Sequence, residues 1–358
     1  MKIKSLFLLG TFLLSTFLSR ADEGMWMPFM LNRNYKDMKK MGLKLTPKEI
    51  YDINNASLKD AIVHFGGFCT GEVISNKGLI LTNHHCGYPA IAELSTPENN
   101  YLRDGFWAKS FEEELKPKDL FVRFLVQMGD VTKRMLSKVN DKMTSQERDA
   151  ALREEMQKIQ KEFSNDGQYT VHVRSLYEGN EFYYFVYEDF EDVRLVGTPT
   201  ESIGKFGGDT DNWEWPRHTG DFALFRVYAD KNNKPAKYSK DNVPFTPRHH
   251  LPISMKGIQQ GDFSMIMGYP GRTNRWMPAQ GVQQNVYYAY PAWVEASKAA
   301  MDVMKDYMDE DEKTRLDYAS KYSSIANYWK NRQGMIDALK EHNTVGRKTT
   351  QEQVFNIW

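Results

Sequence analysis

Three consecutive residues, His84, His85 and Cys86, offer the most reactive combination of side chains in this sequence. A histidine can take the proton of a nucleophilic hydroxyl when a carboxylate orients its ring. Asp221 is a suitable carboxylate, because it heads the alternating apolar segment DFALFRVY, which predicts a strand. These residue types indicate acid–base chemistry around a histidine–aspartate pair.

The polar residues also allow another orienting acid and a metal site. Asp209 and Asp211 compete with Asp221, but they lie in the polar loop GGDTDNWEW, where Asx turns or support of the loop would also explain them. A metal site at the His-His-Cys triplet is not predicted. Neighbouring strand residues point to opposite faces, and no second histidine and cysteine cluster completes a tetrahedral site.

A predicted β-hairpin positions the histidines. Two apolar runs flank the turn signal Asn-Lys-Gly at 76–78, and asparagine and glycine tolerate the positive φ of a tight turn. The second predicted strand ends at the His-His-Cys triplet. The two cysteines of the chain, Cys69 and Cys86, lie at the far ends of the hairpin, where paired strands bring them face to face. The hairpin therefore predicts a disulfide, which would hold His85 in place.

This hairpin resembles the first barrel of chymotrypsin-like serine proteases. There a cystine-clamped hairpin of the form F-C-G-G-x-x-I ends in A-A-H-C, and the histidine before the cysteine is the general base. The strings F-C-T-G-E-V-I and N-H-H-C here assign that role to His85. The longer string L-T-N-H-H-C-G-Y resembles the bacterial dipeptidyl-peptidase 7 and 11 family, which are secreted serine exopeptidases. The string GKFGGDTDNWEWPRHTGDF at 204–222 is also characteristic of that family and favours Asp221 as the orienting acid.

The resemblance runs from about residue 22 to 334 and implies a serine peptidase without a cofactor. The nucleophilic serine of the family lies in a G-N-S-G-S-P string far downstream, whereas no Gly-x-Ser-Gly string occurs in these 358 residues. We therefore expect a partial chain that carries the base His85 and the acid Asp221 and ends before the serine. The chain stops at Trp358 inside a helix-like segment that has no C-cap residue, which agrees with the expected truncation.

The resemblance also implies how a peptide substrate with a free N-terminus is held. In the family an Asn-Trp pair before the catalytic aspartate, together with an asparagine of the helical domain, fixes the free amino group. By motif these residues are Asn212, Trp213 and Asn327, and Asn331 is an alternative to Asn327. The expected activity is the removal of dipeptides from peptide N-termini.

Composition and targeting signals limit the partners and the compartment. The formal net charge is zero, which gives no indication of nucleic acid binding. Residues 1–21 have a basic start, an apolar run and a small-residue cleavage site, so they predict a signal peptide. No later run is apolar enough to span a membrane. We expect export to the periplasm or cell surface of a Gram-negative bacterium, where a disulfide persists.

The predicted fold class is mostly β with an α insertion. Residues 22–279 are expected to form a chymotrypsin-like double β-barrel, with the first barrel and the start of the second present, and a surface helix at about 144–165. Residues 280–358 are expected to form part of an inserted helical domain. Further strands are predicted at 120–127, 169–176, 182–187, 193–196, 221–228 and 261–270.

The sequence is also compatible with two alternative functions. A trypsin-like endopeptidase is one, although the loop around Asn212 and a helical roof would block a cleft that must be open at both ends. A non-catalytic peptide-binding module without its serine is the other. The sequence does not define the oligomeric state, but a cut barrel would expose apolar surface, which makes a homodimer a partner to consider.

Overall fold

The computed structural model describes residues 26–271, 274 and 277–358 of the chain. The predicted signal peptide at 1–21 lies outside these residues. Within them, no helix combines the length and the apolar character that a membrane crossing requires.

Strands and helices alternate up to about residue 245, and helices follow from residue 279. The strands are β1 (Ile62–Phe65), β2 (Cys69–Val73), β3 (Leu79–Thr82), β4 (Phe106–Trp107), β5 (Val122–Asp130), β6 (Thr170–Leu176), β7 (Glu181–Phe190), β8 (Val193–Thr198), β9 (Ala223–Ala229) and β10 (Val243–Pro244). The α-helices are α1 (Tyr35–Lys40), α2 (Pro47–Ile50), α3 (His84–Leu94), α4 (Tyr101–Asp104), α5 (Thr132–Leu136), α6 (Ser145–Phe163), α7 (Glu201–Gly204), α8 (Gly208–Asp211), α9 (Ala279–Gln284), α10 (Tyr290–Glu310), α11 (Glu312–Glu341) and α12 (Thr344–Ile357). Short 3-10 helices lie at Pro28–Arg33, Leu58–Ala61, Phe111–Glu113 and Tyr177–Gly179, and a π-helical turn lies at Asn285–Ala289.

One large antiparallel sheet contains all ten strands of the described residues. Its order is β4-β8-β9-β3-β2-β1-β5-β7-β6, and β10 pairs with β9. Within the described part of the chain, the edge strands β4 and β6 each pair on one side only, so the sheet is not closed. The predicted mixture of strands and helices is therefore confirmed at the level of a large antiparallel sheet with helices.

The sheet curls around a single main core. Phe65 on β1 and Phe225 on β9 lie three places apart in the sheet order, yet their ring centroids are 4.9 Å apart. Phe124, Phe190 and Phe245 form a second aromatic group in the same core. Alternate strand residues thus face one shared interior, which fixes the register of each strand through burial.

Two predicted strand assignments are wrong. The strand before the histidines ends at Thr82, and His84 begins helix α3, in which Tyr88, Ile91 and Ala92 recur at helical spacing and are buried. Residues 261–270 form no strand in the structure. Their contacts are local or go through side chains, as when the Tyr269 amide donates to Thr70 Oγ1 at 2.8 Å.

The predicted surface helix is confirmed as α6, and its capping box is present. Thr144 Oγ1 accepts from the Glu147 amide at 3.3 Å, while the Glu147 carboxylate accepts from the Thr144 amide at 2.8 Å. Its apolar side is not simply solvated, because Leu152 and Ile159 pack into a separate small core with Phe182 of β7. Helix α6 is thus attached to the edge of the sheet.

Helix α11 connects the helices after residue 279 to the sheet. Leu316 and Ala319 on this helix belong to the main core, where α11 packs against α3. At the start of α11, Glu312 Oε1 accepts from Asn100 Nδ2 at 2.5 Å. The boundary between two domains near residue 280 stays a prediction.

A disulfide joins Cys69 at the start of β2 to Cys86 in the first turn of α3, with their Cα atoms 6.0 Å apart. The two cysteines are 17 positions apart in the sequence, so the bond closes a short loop. It ties the first turn of α3 to the hairpin, as the positions of the cysteines predict.

Replacing both cysteines, as Cys69→Ala with Cys86→Ala, is expected to lower the free energy of unfolding by about 3 kcal/mol, because the unfolded chain regains the entropy of an open loop. Urea unfolding measures the change, and wild-type protein with its disulfide reduced controls for the lost side-chain packing. A thiol reagent that modifies both cysteines of the oxidised, denatured wild-type protein would contradict the disulfide itself.

Candidate active site

His85 and Asp221 form a direct hydrogen-bonded pair. His85 Nδ1 lies 2.6 Å from Asp221 Oδ2, and the His85 backbone amide donates to Asp221 Oδ1 at 2.9 Å. The two carboxylate oxygens thus bind one residue at two points, which fixes both the position of His85 and the rotation of its ring. With Nδ1 held by the carboxylate, Nε2 is the nitrogen that can exchange a proton with another group.

The pKa of Asp221 reflects two opposing effects. Burial favours the neutral acid, but the hydrogen bonds from the ring and the amide of His85 outweigh it, and the pKa of Asp221 lies below its usual value. The His85 side chain, in contrast, is 67% exposed, while that of Asp221 is 19% exposed. An ionised carboxylate therefore lies beneath an accessible imidazole.

Asn83 adds a third contact to this pair that the sequence interpretation missed. Its side-chain amide donates to the Asp221 carbonyl at 3.1 Å and to Asp221 Oδ2 at 3.3 Å. Its own carbonyl accepts from the amides of Cys86 and Gly87 at the start of α3. The available signal was its position directly before the helix, where asparagine is a favoured residue.

His84 differs sharply from His85, because it is buried and only 1% exposed. Its ring meets Tyr88 edge-on at 5.8 Å, and a Cβ at Gly204 would lie 2.5 Å from the ring, so only glycine fits there. Burial lowers the pKa of His84 to about 4. His84 is thus a neutral packing residue near neutral pH.

The loop between α7 and β9 is closed at its base next to Asp221. The Gly220 amide donates to the Ile203 carbonyl at 3.0 Å, and Thr219 Oγ1 donates to the Phe206 carbonyl at 3.1 Å. These two hydrogen bonds fix the base of the loop. Asp209, a competitor for the acid role, forms an ion pair with Lys205 at 3.3 Å and so supports this loop.

The three residues predicted to hold the substrate's amino group lie together. Asn212 Nδ2 donates to Asn327 Oδ1 at 2.9 Å, and Trp213 Nε1 donates to the Asn327 carbonyl at 3.1 Å. Asn212 therefore meets Asn327 and not the alternative, Asn331. The Trp213 indole remains 56% exposed. We name Asn212, Trp213 and Asn327 the asparagine–tryptophan cluster.

The one group of potential metal ligands found among the described residues is Cys69, His85 and Cys86. Both sulfur atoms belong to the disulfide and cannot act as thiolate ligands. His85 Nε2 lies 3.5 Å from Cys86 Sγ. The donor set therefore does not suit a metal ion.

Comparisons with known proteins identify the family of this chain. The Peptidase S46 family model matches residues 21–358. Dipeptidyl-peptidase 7 of Capnocytophaga gingivalis is 61% identical over 348 residues, which cover 97% of this chain and 49% of that protein. The Asp/Glu-specific dipeptidyl-peptidase of Flavobacterium psychrophilum is 47% identical over 356 residues, or 99% of this chain and 50% of that protein.

A solved structure has the same fold over nearly all of this chain. The crystal structure of Porphyromonas endodontalis DPP11 in complex with the dipeptide Arg-Glu matches with a TM-score of 0.85 and 40% identity, covering 94% of this chain and 49% of that chain. This chain belongs to the peptidase S46 family. It spans about half the length of the relatives that it matches.

Burial of His84 predicts a pH dependence of stability. Unfolded histidine titrates near 6.5, whereas the pKa of folded His84 is about 4, so the unfolded state binds more protons between these values. The free energy of unfolding should therefore fall as the pH drops from about 6.5 to about 4. For His84 alone the loss between pH 7 and pH 4.5 is roughly 2–3 kcal/mol.

The measurement is urea unfolding of the wild type and of His84→Phe at pH 7 and pH 4.5. His64, whose pKa burial also lowers to about 4, remains in both proteins, so the difference between them isolates His84. An identical loss of stability in the two proteins would show that His84 does not titrate as proposed.

Proposed function

We propose that this chain provides the general base and the orienting acid of a serine-type dipeptidyl-peptidase whose serine lies beyond Trp358. The observation that carries the proposal is the double contact between His85 and Asp221, 2.6 Å through the ring and 2.9 Å through the amide. Such a contact holds an imidazole in the tautomer that has Nε2 free to accept a proton.

In the proposed reaction, His85 Nε2 takes the proton of the serine hydroxyl as the oxygen attacks the scissile carbonyl. The resulting imidazolium is stabilised by the Asp221 carboxylate, which stays ionised because its pKa is low. His85 then gives the proton to the leaving amine. Water repeats the sequence to release the dipeptide.

The fold proposed for the complete protein is the chymotrypsin-like double barrel. The curled sheet would be its first barrel, and residues 251–271, which leave the sheet after Phe245, would start the second. Exposed apolar side chains in this segment, such as Ile253 and Ile266, support a further contact there. We also propose export through the signal peptide at 1–21 to the periplasm or cell surface, which agrees with the disulfide.

The asparagine–tryptophan cluster is proposed to bind the free amino group of the substrate. An ammonium group needs acceptors, and Asn212 Oδ1 accepts no hydrogen bond from the described residues, so it is free to do so. The exposed indole of Trp213 can add a cation–π contact of about 1–2 kcal/mol. A fixed distance from this cluster to the serine would limit cleavage to the bond after the second residue.

A fixed distance between the amino-group contacts and the serine favours an exopeptidase over the two alternative functions. A trypsin-like endopeptidase needs a cleft open at both ends. The contacts of Asn212 and Trp213 with Asn327 join the loop to α11 and would close one end of such a cleft. A non-catalytic peptide-binding module would not need an ionised Asp221 that forms two hydrogen bonds with His85. The names of the relatives, dipeptidyl-peptidases with different specificities, agree with the exopeptidase but leave the preferred side chain open.

In the full-length protein, His85→Ala and Asp221→Asn are each expected to lower kcat by about 10⁴-fold, because the members of a triad act as a unit. Hydrolysis of dipeptidyl-naphthylamides measures the effect, with circular dichroism to confirm folding. The 358-residue chain alone should be inactive. Hydrolysis by the pure chain that His85→Ala abolishes would contradict the location of the serine.

Acetylation converts the substrate's cationic amino group into an uncharged amide, which the proposed acceptors cannot bind as a cation. For the full-length wild type, kcat/KM should therefore fall by a factor equivalent to several kcal/mol. The Asn212→Ala variant should lose far less on acetylation, since it lacks one of the acceptors. The measurement is kcat/KM for matched free-amine and N-acetylated dipeptidyl substrates. Equal discrimination by both proteins would remove Asn212 from the binding of the amino group.

A further inference from the structure

The segment that carries Asn212 and Trp213 has an unusual backbone. It follows the single-turn helix α8, which starts after Gly207 at φ +78°, and Trp213 itself has φ +63°. Residues other than glycine are rarely found in this left-handed region, and the strained backbone costs free energy. The residues from Trp213 to His218 are exposed, so burial in the core does not hold them. Specific contacts must therefore keep the segment in place.

Lys330 makes two such contacts from helix α11. Its ammonium group donates to the carbonyl of Thr210, and it lies 3.3 Å from Glu214 Oε1. The two partners lie on either side of Asn212 and Trp213 in sequence. Lys330 follows Asn327 by three residues, so both lie on the same face of α11. Lys330 thus contacts the chain on both sides of Asn212 and Trp213, next to their partner Asn327.

The two contacts differ in expected strength. The Thr210 carbonyl lies in the single turn of α8, where carbonyl groups lack helical hydrogen-bond partners, so the Lys330 ammonium group supplies a donor that the helix itself does not. The Lys330 side chain is only 21% exposed, whereas Glu214 is 64% exposed. Exposed ion pairs contribute little. The hydrogen bond to Thr210 should therefore be the more important contact.

We propose that Lys330 is a positioning residue that holds the Thr210–Glu214 segment against α11 and so keeps the asparagine–tryptophan cluster ready for a substrate's amino group. This inference rests on the function proposed above. Without Lys330 the binding-competent arrangement is only fractionally populated, and the apparent affinity for the amino group falls by that fraction. The loss should concern substrates with a free amino group and spare those without one.

The test compares Lys330→Met with the wild type in the full-length protein, using matched free-amine and N-acetylated dipeptidyl substrates. Lys330→Met keeps an unbranched side chain but removes the donor and the charge. We expect KM for the free-amine substrate to rise about tenfold, with a smaller change in kcat and no change in kcat/KM for the acetylated substrate. A general defect in folding would lower the activity on both substrates together.

Three further variants sharpen the result. Lys330→Arg retains a cationic donor and should restore most of the loss. Glu214→Gln removes only the exposed ion pair and should raise KM less than threefold. Lys313→Met is the matched control on the same helix, because Lys313 pairs with Asp317 in an exposed i,i+4 contact away from the cluster. It should match the wild type.

Hydrogen exchange in the 358-residue chain gives a readout that does not need activity. The amides of residues 210–214 should exchange faster in Lys330→Met, and not in Lys313→Met. If Lys330→Met does not fold, Lys330→Gln takes its place in both measurements. Unchanged exchange, or equal losses on both substrates, would overturn the role of Lys330.

The outcomes separate this inference from the proposed function. If the full-length wild type fails to prefer the free amine, the proposed function is wrong and the inference fails with it. If the wild type prefers the free amine and Lys330→Met prefers it equally, the proposed function stands and only the role of Lys330 is wrong.

Discussion

One backbone register, the pairing of β3 with β9, decides whether His85 and Asp221 can meet. Thr82 lies opposite Ala223, so the chain that leaves β3 and the chain that enters β9 run side by side. His85 comes just after Thr82, and Asp221 comes just before Ala223. A slip of one residue would turn the apolar side chains of either strand away from the core. Core packing therefore enforces a hydrogen bond between residues that are 136 positions apart.

Local signals were sufficient where neighbouring residues decide the structure. The turn signal at 76–78 and the flanking apolar runs predicted the hairpin, and the spacing of Cys69 and Cys86 predicted their disulfide. The capping residues predicted the start of α6. The sequence pattern also predicted Asp221 at the entrance to a strand. Each of these features depends on a short stretch of chain, or on two stretches that one turn brings together.

Signals failed where a distant contact decides the structure. His84 lies in a helix because α3 buries Tyr88 and Ile91 under the sheet and α11, which the preceding strand pattern does not reveal. A strand was predicted at 261–270, but no described strand pairs with that segment. Closure of a sheet into a barrel is likewise decided by long-range strand pairing, which a local pattern does not reveal. The contact of Asn327 with Asn212 came from the family resemblance, because helical spacing alone does not tell which asparagine faces the loop.

The base of the loop links the two parts of the candidate site. Gly220, directly before Asp221, is bonded to Ile203 in α7, and α7 packs through Gly204 on the buried ring of His84. The same loop carries Asn212 at its far side. Displacement of this loop would thus be transmitted to the Asp221 carboxylate and to the ring that packs beneath it. Under the proposed function, cleavage after the second residue needs a constant distance between the asparagine–tryptophan cluster and the His85–Asp221 pair. A loop that is closed at its base and held by α11 at its far side would meet that requirement through short, packed connections.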